Sequence, residues 1–219
     1  MKETRLENLY KRRLVTNESA GRIFPEKWVL SQELKYHPVK PEKLNFDILE
    51  IGPGRGDFLF YLARENPDKS ILAIERGTLR YLRLVERLKK LGLTNVTLIG
   101  GDARVPLATD LKNARFKKIY VLFPDPWPRN RHRHMRLLNK VFVTTLCDKL
   151  SPEGEFTLAT DVEDYAQWVM GHCGEIPNLK NLQGHDTTKT PLEDLIPTFF
   201  EQKWRNMGRI CHYVRYQRQ

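Results

Sequence analysis

Short apolar runs alternate with stretches of helical periodicity along most of the chain, and this alternation constrains the fold more than any other feature. Phe46 to Ile51 is a strand-like run that breaks into a glycine cluster, Gly52 to Gly56. Phe58, Leu59, Leu62 and Ala63 then recur at helical spacing until Asn66-Pro67 stops them. Further strands are expected at Ile71–Ile74, Val96–Ile99, Ile119–Phe123 and Gly154–Thr160. Leu79, Leu82, Val85, Leu88 and Leu91 mark the expected buried stripe of a second helix, ended by Gly92. Leu137, Leu138, Val141, Phe142 and Leu146 mark another, and Tyr165, Trp168 and Val169 a last one. Strand–helix alternation of this kind means βαβ units, an α/β fold with a mostly parallel sheet covered on both faces. Thr198 to Tyr216 reads as a closing antiparallel hairpin that turns at Asn206-Met207-Gly208.

Residues 1–45 interrupt the pattern with charge and with Pro25, Pro38 and Pro41, so they are expected to be a basic extension ahead of one domain, 46–219. Lys plus Arg number 37 against 27 Asp plus Glu, a formal charge of +10 that points to a polyanionic partner, nucleic acid before membrane. No apolar run approaches the roughly 20 residues of a membrane span, and the charged opening is not a signal peptide. Three scattered cysteines, Cys147, Cys173 and Cys211, contain no Cys-x-x-Cys pair and support neither a disulfide scaffold nor a zinc ribbon. A reduced, cytoplasmic protein is the expectation.

In doubly wound sheets ligands sit beyond the carboxyl ends of the strands, so the chemistry should lie there. The first strand delivers Glu50-Ile51-Gly52-Pro53-Gly54-Arg55-Gly56. Gly52 and Gly54 allow a tight turn and close approach of a ligand. The third glycine falls one position early for the dinucleotide pattern G-x-G-x-x-G. An acid two residues before G-x-G-x-G resembles motif I of the S-adenosylmethionine-dependent methyltransferases. That donor lacks a pyrophosphate but carries an ammonium, which Glu50 can neutralise. Glu75 ends the second strand about 20 residues beyond the glycines, where a ribose-binding acid is expected. Asp102, in Gly100-Gly101-Asp102-Ala103, follows the third strand and can accept an adenine amino group. Three acids at three successive strand ends describe an adenosine site.

The fourth strand ends in Phe123-Pro124-Asp125-Pro126-Trp127-Pro128, where the prolines restrict Asp125 and Trp127. This segment and the basic, His-containing run after it resemble the tRNA (guanine-N7-)-methyltransferases, the TrmB family. The similarity extends through Ala159-Thr160-Asp161 to Thr198-Phe199-Phe200-Glu201. Where that family often has Lys after the Asp-Pro-Trp segment, this chain has Arg129. The resemblance implies a Rossmann-like class I methyltransferase fold with a seven-stranded sheet, and S-adenosylmethionine held by Glu50, Gly52, Gly54, Glu75, Asp102, Ala103 and Asp125. It implies Asp125 as the catalytic residue, and Arg129, Asp161, Thr198 and Glu201 facing the nucleotide. It also implies tRNA as partner, with the variable-loop guanosine, position 46 of tRNA, as target.

Guanine N7 carries a lone pair and no proton, so methylation requires alignment more than a base, and no metal is assigned. Positive charge moves onto the purine, which a fixed carboxylate stabilises. Guanine's N1–H and N2–H₂ suit a carboxylate, and Asp161 or Glu201 is expected to read that edge. Arg129, Arg131, Arg133, Arg136 and Lys140, with His132 and His134, are placed to hold phosphates. Lys11-Arg12-Arg13 and Lys203, Arg205, Arg209, Arg215 and Arg218 would widen the footprint. Two other readings are a methyltransferase of another RNA and a non-catalytic RNA-binding scaffold. The intact set Glu50, Glu75, Asp102 and Asp125 argues against the scaffold.

Overall fold

The computed structural model describes residues 46–184 and 186–219. The extension expected at 1–45, with Lys11-Arg12-Arg13, lies outside the described residues. The elements in order are β1 (Ile48–Ile51), α1 (Asp57–Glu65), β2 (Ile71–Glu75), α2 (Thr78–Leu91), β3 (Val96–Gly100), α3 (Arg104–Ala108) and β4 (Phe116–Leu122). A 3₁₀ segment (Asn130–Met135) follows, then α4 (Lys140–Asp148), β5 (Leu150–Thr160), α5 (Glu163–Gly174), β6 (Leu179–Asn181), α6 (Phe199–Asn206) and β7 (His212–Arg218).

Seven strands form one sheet in the order β3-β2-β1-β4-β5-β7-β6. β1 to β5 pair in parallel, whereas β7 runs antiparallel to both β5 and β6. Strand order reverses between β1 and β4, the switch point at which such sheets open a crevice. Ile51 pairs with Ile74 on one side and Val121 on the other, Leu122 with Ala159, and Thr160 with His212. The ends of β1, β2, β4 and β5 and the start of β7 therefore form one rim.

Alternation along each strand sorts the side chains. Leu49, Ile51, Leu72, Ile74, Ile119 and Val121 pack under α3, α4 and α5. Ile48, Ile71, Ala73 and Tyr120 face α1 and α2. Glu50 and Glu75 share the parity of this second set, so both acids point to the α1–α2 face.

Two sequence expectations are corrected. In α2 only Leu88 of the proposed stripe is buried; Leu79, Leu82, Val85 and Leu91 are exposed, and Leu84 supplies the other core contact. Every third residue drifts around a helix of 3.6 residues per turn, so that stripe winds away from the sheet. The segment Thr198–Tyr216 is a helix followed by a strand, not a hairpin. Thr198 caps α6 by accepting the Glu201 amide on Oγ1 at 3.2 Å. Thr-x-x-Glu is a helix-start pattern, which accounts for the difference. Antiparallel pairing at this end of the sheet is present, but β7 makes it with β5 and β6, not within Thr198–Tyr216.

Candidate active site

Glu50 lies at the rim, 3% exposed, and its Oε2 is buried without a hydrogen-bond partner among the described residues. Burial, then the negative charges of Glu75 and Asp57, push its carboxyl up to about 8. A buried carboxylate oxygen with no donor is costly unless a cation meets it. Beside it the chain turns through Gly52 at φ +74°, and a Cβ there would meet nothing within 4 Å. The turn closes differently at Gly56, where φ is +83° and a Cβ would lie 2.5 Å from Leu84. Gly56 is therefore needed for helix packing, and Gly52 stands over open space.

Glu75 fixes this turn. Its Oε2 accepts the Gly54 amide at 3.0 Å and its Oε1 the Gly77 amide at 2.7 Å. Each oxygen keeps a lone pair for a hydroxyl. Asp102 is more committed than the sequence implies. The Arg104 backbone and Nε donate to its Oδ1, and Arg104 Nη2 donates to Oδ2 at 2.7 Å, with both side chains buried. An adenine amino group would share Oδ2 with that guanidinium. Ala103 is buried at the start of α3.

Thr198, Phe199 and Phe200 bring the other half of the site to the glycine turn. They line one small cavity with Glu50, Gly52, Gly54 and Leu122. Phe200 would stand 3.9 Å from a Cβ on Gly54, and the Arg55 guanidinium lies 3.5 Å above the Phe199 ring. Asp194, which the sequence did not single out, holds the approach to this segment. It accepts from Lys118, from the Tyr120 hydroxyl at 2.8 Å and from Arg215. The larger groove between α1 and α2 shares Asp57 with the small cavity, but Glu50, Glu75 and Asp102 do not line it.

The β4 loop exposes Asp125 between two bulky residues in left-handed backbone, Phe123 at φ 51° and Trp127 at φ 41°. Such conformations cost on the order of 1–3 kcal/mol each and persist where the surroundings enforce them. Phe123 donates its amide to Ala159 at 2.7 Å, and the Pro126 carbonyl accepts Arg136 Nε at 2.9 Å. Arg136 is fully buried, ion-paired to Asp164 and 4.8 Å from the Tyr165 ring. It cannot reach a phosphate, so its expected role is corrected from RNA contact to loop support. Arg133 pairs with Asp164, and Lys140, itself exposed, pairs with Glu175; Arg129, Arg131 and His134 are the other exposed members of the run. The missing signal was an acid from a distant helix, α5.

Asp161, just past β5, accepts Arg209 on Oδ2. Glu201 is 2% exposed and accepts on Oε1 from Arg205 at 3.0 Å and from the Tyr213 hydroxyl. Burial and the Glu201 carboxylate push the Tyr213 phenol upward. Arg215 and Arg218 are likewise engaged, with Asp194 and with backbone carbonyls of Asp148 and Leu150. Of the carboxyl-terminal cations, Lys203, Arg205 and Arg209 are exposed, and Lys203 and Arg209 both lie over Trp204. The cavity thus joins Glu50, Gly52, Gly54 and Thr198, while Glu75, Asp102, Ala103, Asp125, Arg129, Asp161 and Glu201 stand outside its lining.

A doubly wound sheet with its last strand inserted antiparallel, and with acids at successive strand ends, is the architecture of methyltransferases. The aminoglycoside resistance methyltransferase NpmB1 superposes with a TM-score of 0.57, covering 85% of this chain and 100% of that one at 13% identity, which establishes the fold. The family model described as "Putative methyltransferase" matches residues 45–213. Closer relatives narrow the class. The tRNA (guanine-N(7)-)-methyltransferase of Nitrosomonas eutropha is 42% identical over 161 residues, 74% of this chain and 71% of that protein. That of Syntrophotalea carbinolica is 34% identical over 78% of this chain and 73% of its own. The chain belongs to the tRNA (guanine-N(7)-)-methyltransferase family. Among the described residues no helix is long and apolar enough to cross a membrane.

Proposed function

We propose that this enzyme transfers the methyl group of S-adenosylmethionine to N7 of a guanosine in tRNA, the variable-loop position 46. The observation that carries the reading is the buried Glu50 Oε2, without a hydrogen-bond partner among the described residues, beneath the open Gly52 turn and in one cavity with Thr198. The donor's ammonium would meet Glu50, its ribose Glu75, and its adenine the Asp102–Ala103 turn. When bound, the donor supplies an electrophilic methyl on sulfur, and N7 displaces it without prior deprotonation.

The chain's residues then position and stabilise. Asp125, on a loop braced by Arg136, sets a carboxylate beside the purine as it becomes positive. Asp161 commits one oxygen to Arg209, whose side chain is 45% exposed, and can exchange that partner for the guanine N1–H and N2–H₂ edge. Glu201, sealed between Arg205 and Tyr213, holds α6 so that Thr198 faces the base. Arg129 and Arg131 take flanking phosphates.

Incubation with methyl-labelled S-adenosylmethionine and bulk tRNA, followed by nucleoside analysis, tests the reading. The expected product is 7-methylguanosine. Label on a ribose, on an exocyclic amine or nowhere in tRNA would overturn it.

A further inference from the structure

Helix α2 carries five cations, Arg80, Arg83, Arg87, Lys89 and Lys90, against one acid, Glu86. Four of them recur at spacings of three, four and three residues. Arg80, Arg83, Arg87 and Lys90 thus fall within an arc of roughly 80° on one flank of the helix, beside the buried Leu84–Leu88 face. All four are exposed. A line of like charges is unfavourable by itself, and nothing in α2 beyond Glu86 offsets it.

This line connects to the site. Arg87 donates Nη1 to the Arg55 carbonyl at 2.6 Å and stacks 4.4 Å over Phe60. Arg55 in turn lies over Phe199, whose neighbours Thr198 and Phe200 line the cavity at Glu50. Arg87 and Lys90 border the α1–α2 groove with Phe60, Tyr61 and Arg64, opposite Asp57 and Glu65. Cations therefore run from the cavity mouth along the outer face of β2, on the side of the sheet away from Arg129 and Arg131.

We infer that this stripe is a track for the tRNA sugar–phosphate backbone, a second binding region beyond the target nucleotide. The inference rests on the tRNA reading above and deepens it. The partner's chemistry follows from the pattern: guanidinium and ammonium groups spaced along a line match the repeated charge of a polyphosphate. A substrate held at the Asp125 loop and again along α2 would be gripped on both faces of the sheet. A lone nucleoside could reach only the first.

The test compares two charge reversals by tRNA binding over a salt series, with S-adenosylmethionine affinity measured alongside. Arg80→Glu/Arg83→Glu strikes the stripe, whereas Lys89→Glu sits roughly 140° around the same helix. Arg87 is left intact because it supports Arg55. The double variant is expected to bind tRNA about tenfold or more weakly at low salt. Its slope of log affinity against log salt should fall by about 0.7–0.9 for each phosphate that the protein no longer neutralises. Donor affinity should stay at the wild-type value, and Lys89→Glu should bind tRNA within about twofold of wild type. Unchanged affinity and slope in the double variant, or an equal loss in Lys89→Glu, would overturn the track while leaving the activity in place. A wild-type enzyme that neither binds nor methylates tRNA removes the activity and the track together.

Discussion

The Nε–H of Arg136 points at the carbonyl of Pro126, 2.9 Å away, so a fully buried guanidinium carries the loop that presents Asp125. The same guanidinium reaches Asp164 on α5, and α5 packs against α4 and β5. The position of the Asp125 carboxylate is thereby set by the α3–α5 layer, not by the loop alone.

Arg136→Met should separate support from chemistry. Removing a buried, paired guanidinium costs on the order of 2–4 kcal/mol, less where the partner can be hydrated, as the half-exposed Asp164 can. Thermal unfolding should show that loss, and kcat should fall with donor Kd unchanged. A variant as active as wild type would detach Arg136 from the positioning of Asp125.

Glu50 should give the protein a distinctive dependence on pH. Its folded-state carboxyl is raised to about 8 against an ordinary value of 4.5. The unfolded chain releases this proton first, so the group's unfavourable contribution grows as pH rises from 4.5 to about 8 and then levels off. Glu50→Gln should match wild-type stability near pH 5 and exceed it above pH 8, by on the order of a few kcal/mol. The same carboxyl must ionise to pair with an ammonium, so donor binding should release a proton below pH 8. Calorimetry in two buffers of different ionisation enthalpy reads that proton, and Glu50→Gln should abolish it along with most of the affinity.

Two glycines four residues apart should fail in different ways. Gly56→Ala places a Cβ 2.5 Å from Leu84 and 2.7 Å from Phe60 in left-handed backbone, a cost of about 2–4 kcal/mol. Gly52→Ala meets open space, so its cost is the backbone conformation alone, about 1 kcal/mol. If the space over Gly52 belongs to the donor, its variant should lose donor affinity out of proportion to stability. Equal behaviour of the two variants in melting and binding would contradict that division.

Asp125→Asn and Asp161→Asn should also differ. Asp125 is exposed, so its variant should melt like wild type and lose kcat by about 10²-fold or more. Asp161→Asn removes the charge that Arg209 meets, and should raise the KM for tRNA and weaken the preference for guanine over adenine. Steady-state kinetics with tRNA transcripts carrying G or A at the target position would separate the two effects.

The strand–helix alternation and the acids at the strand ends were legible because each follows from a short local pattern. Glu50 and Glu75 were located by their distance from one glycine turn and Asp102 by its place after the third strand; Glu50 lies one residue before the end of β1, Glu75 ends β2 and Asp102 follows β3 by two residues. The acceptors' partners were not legible. Arg104 follows Asp102 by two residues, yet nothing in that spacing says that both are buried and bidentate. Arg136 read as one more cation in a basic run because its acid, Asp164, arrives from another helix. The exposed leucines of α2 misled for a related reason: apolar residues three apart satisfy a loose helical pattern without sharing a face. Thr198-Phe199-Phe200-Glu201 carried its helix-start signal in plain view, but the following Asn206-Met207-Gly208 turn favoured the hairpin.

β7 comes last of the seven strands among the described residues, yet it lies between β5 and β6. Among the described strands β6 pairs with β7 alone, so during synthesis it waits until residues 212–218 have emerged to fill the gap. The same segment brings Tyr213 to Glu201, and Arg209 just ahead of it reaches Asp161. The nascent enzyme can thus order the acids of β1 and β2 early, whereas Asp161 and Glu201 gain these partners only after residues 209–213 have emerged.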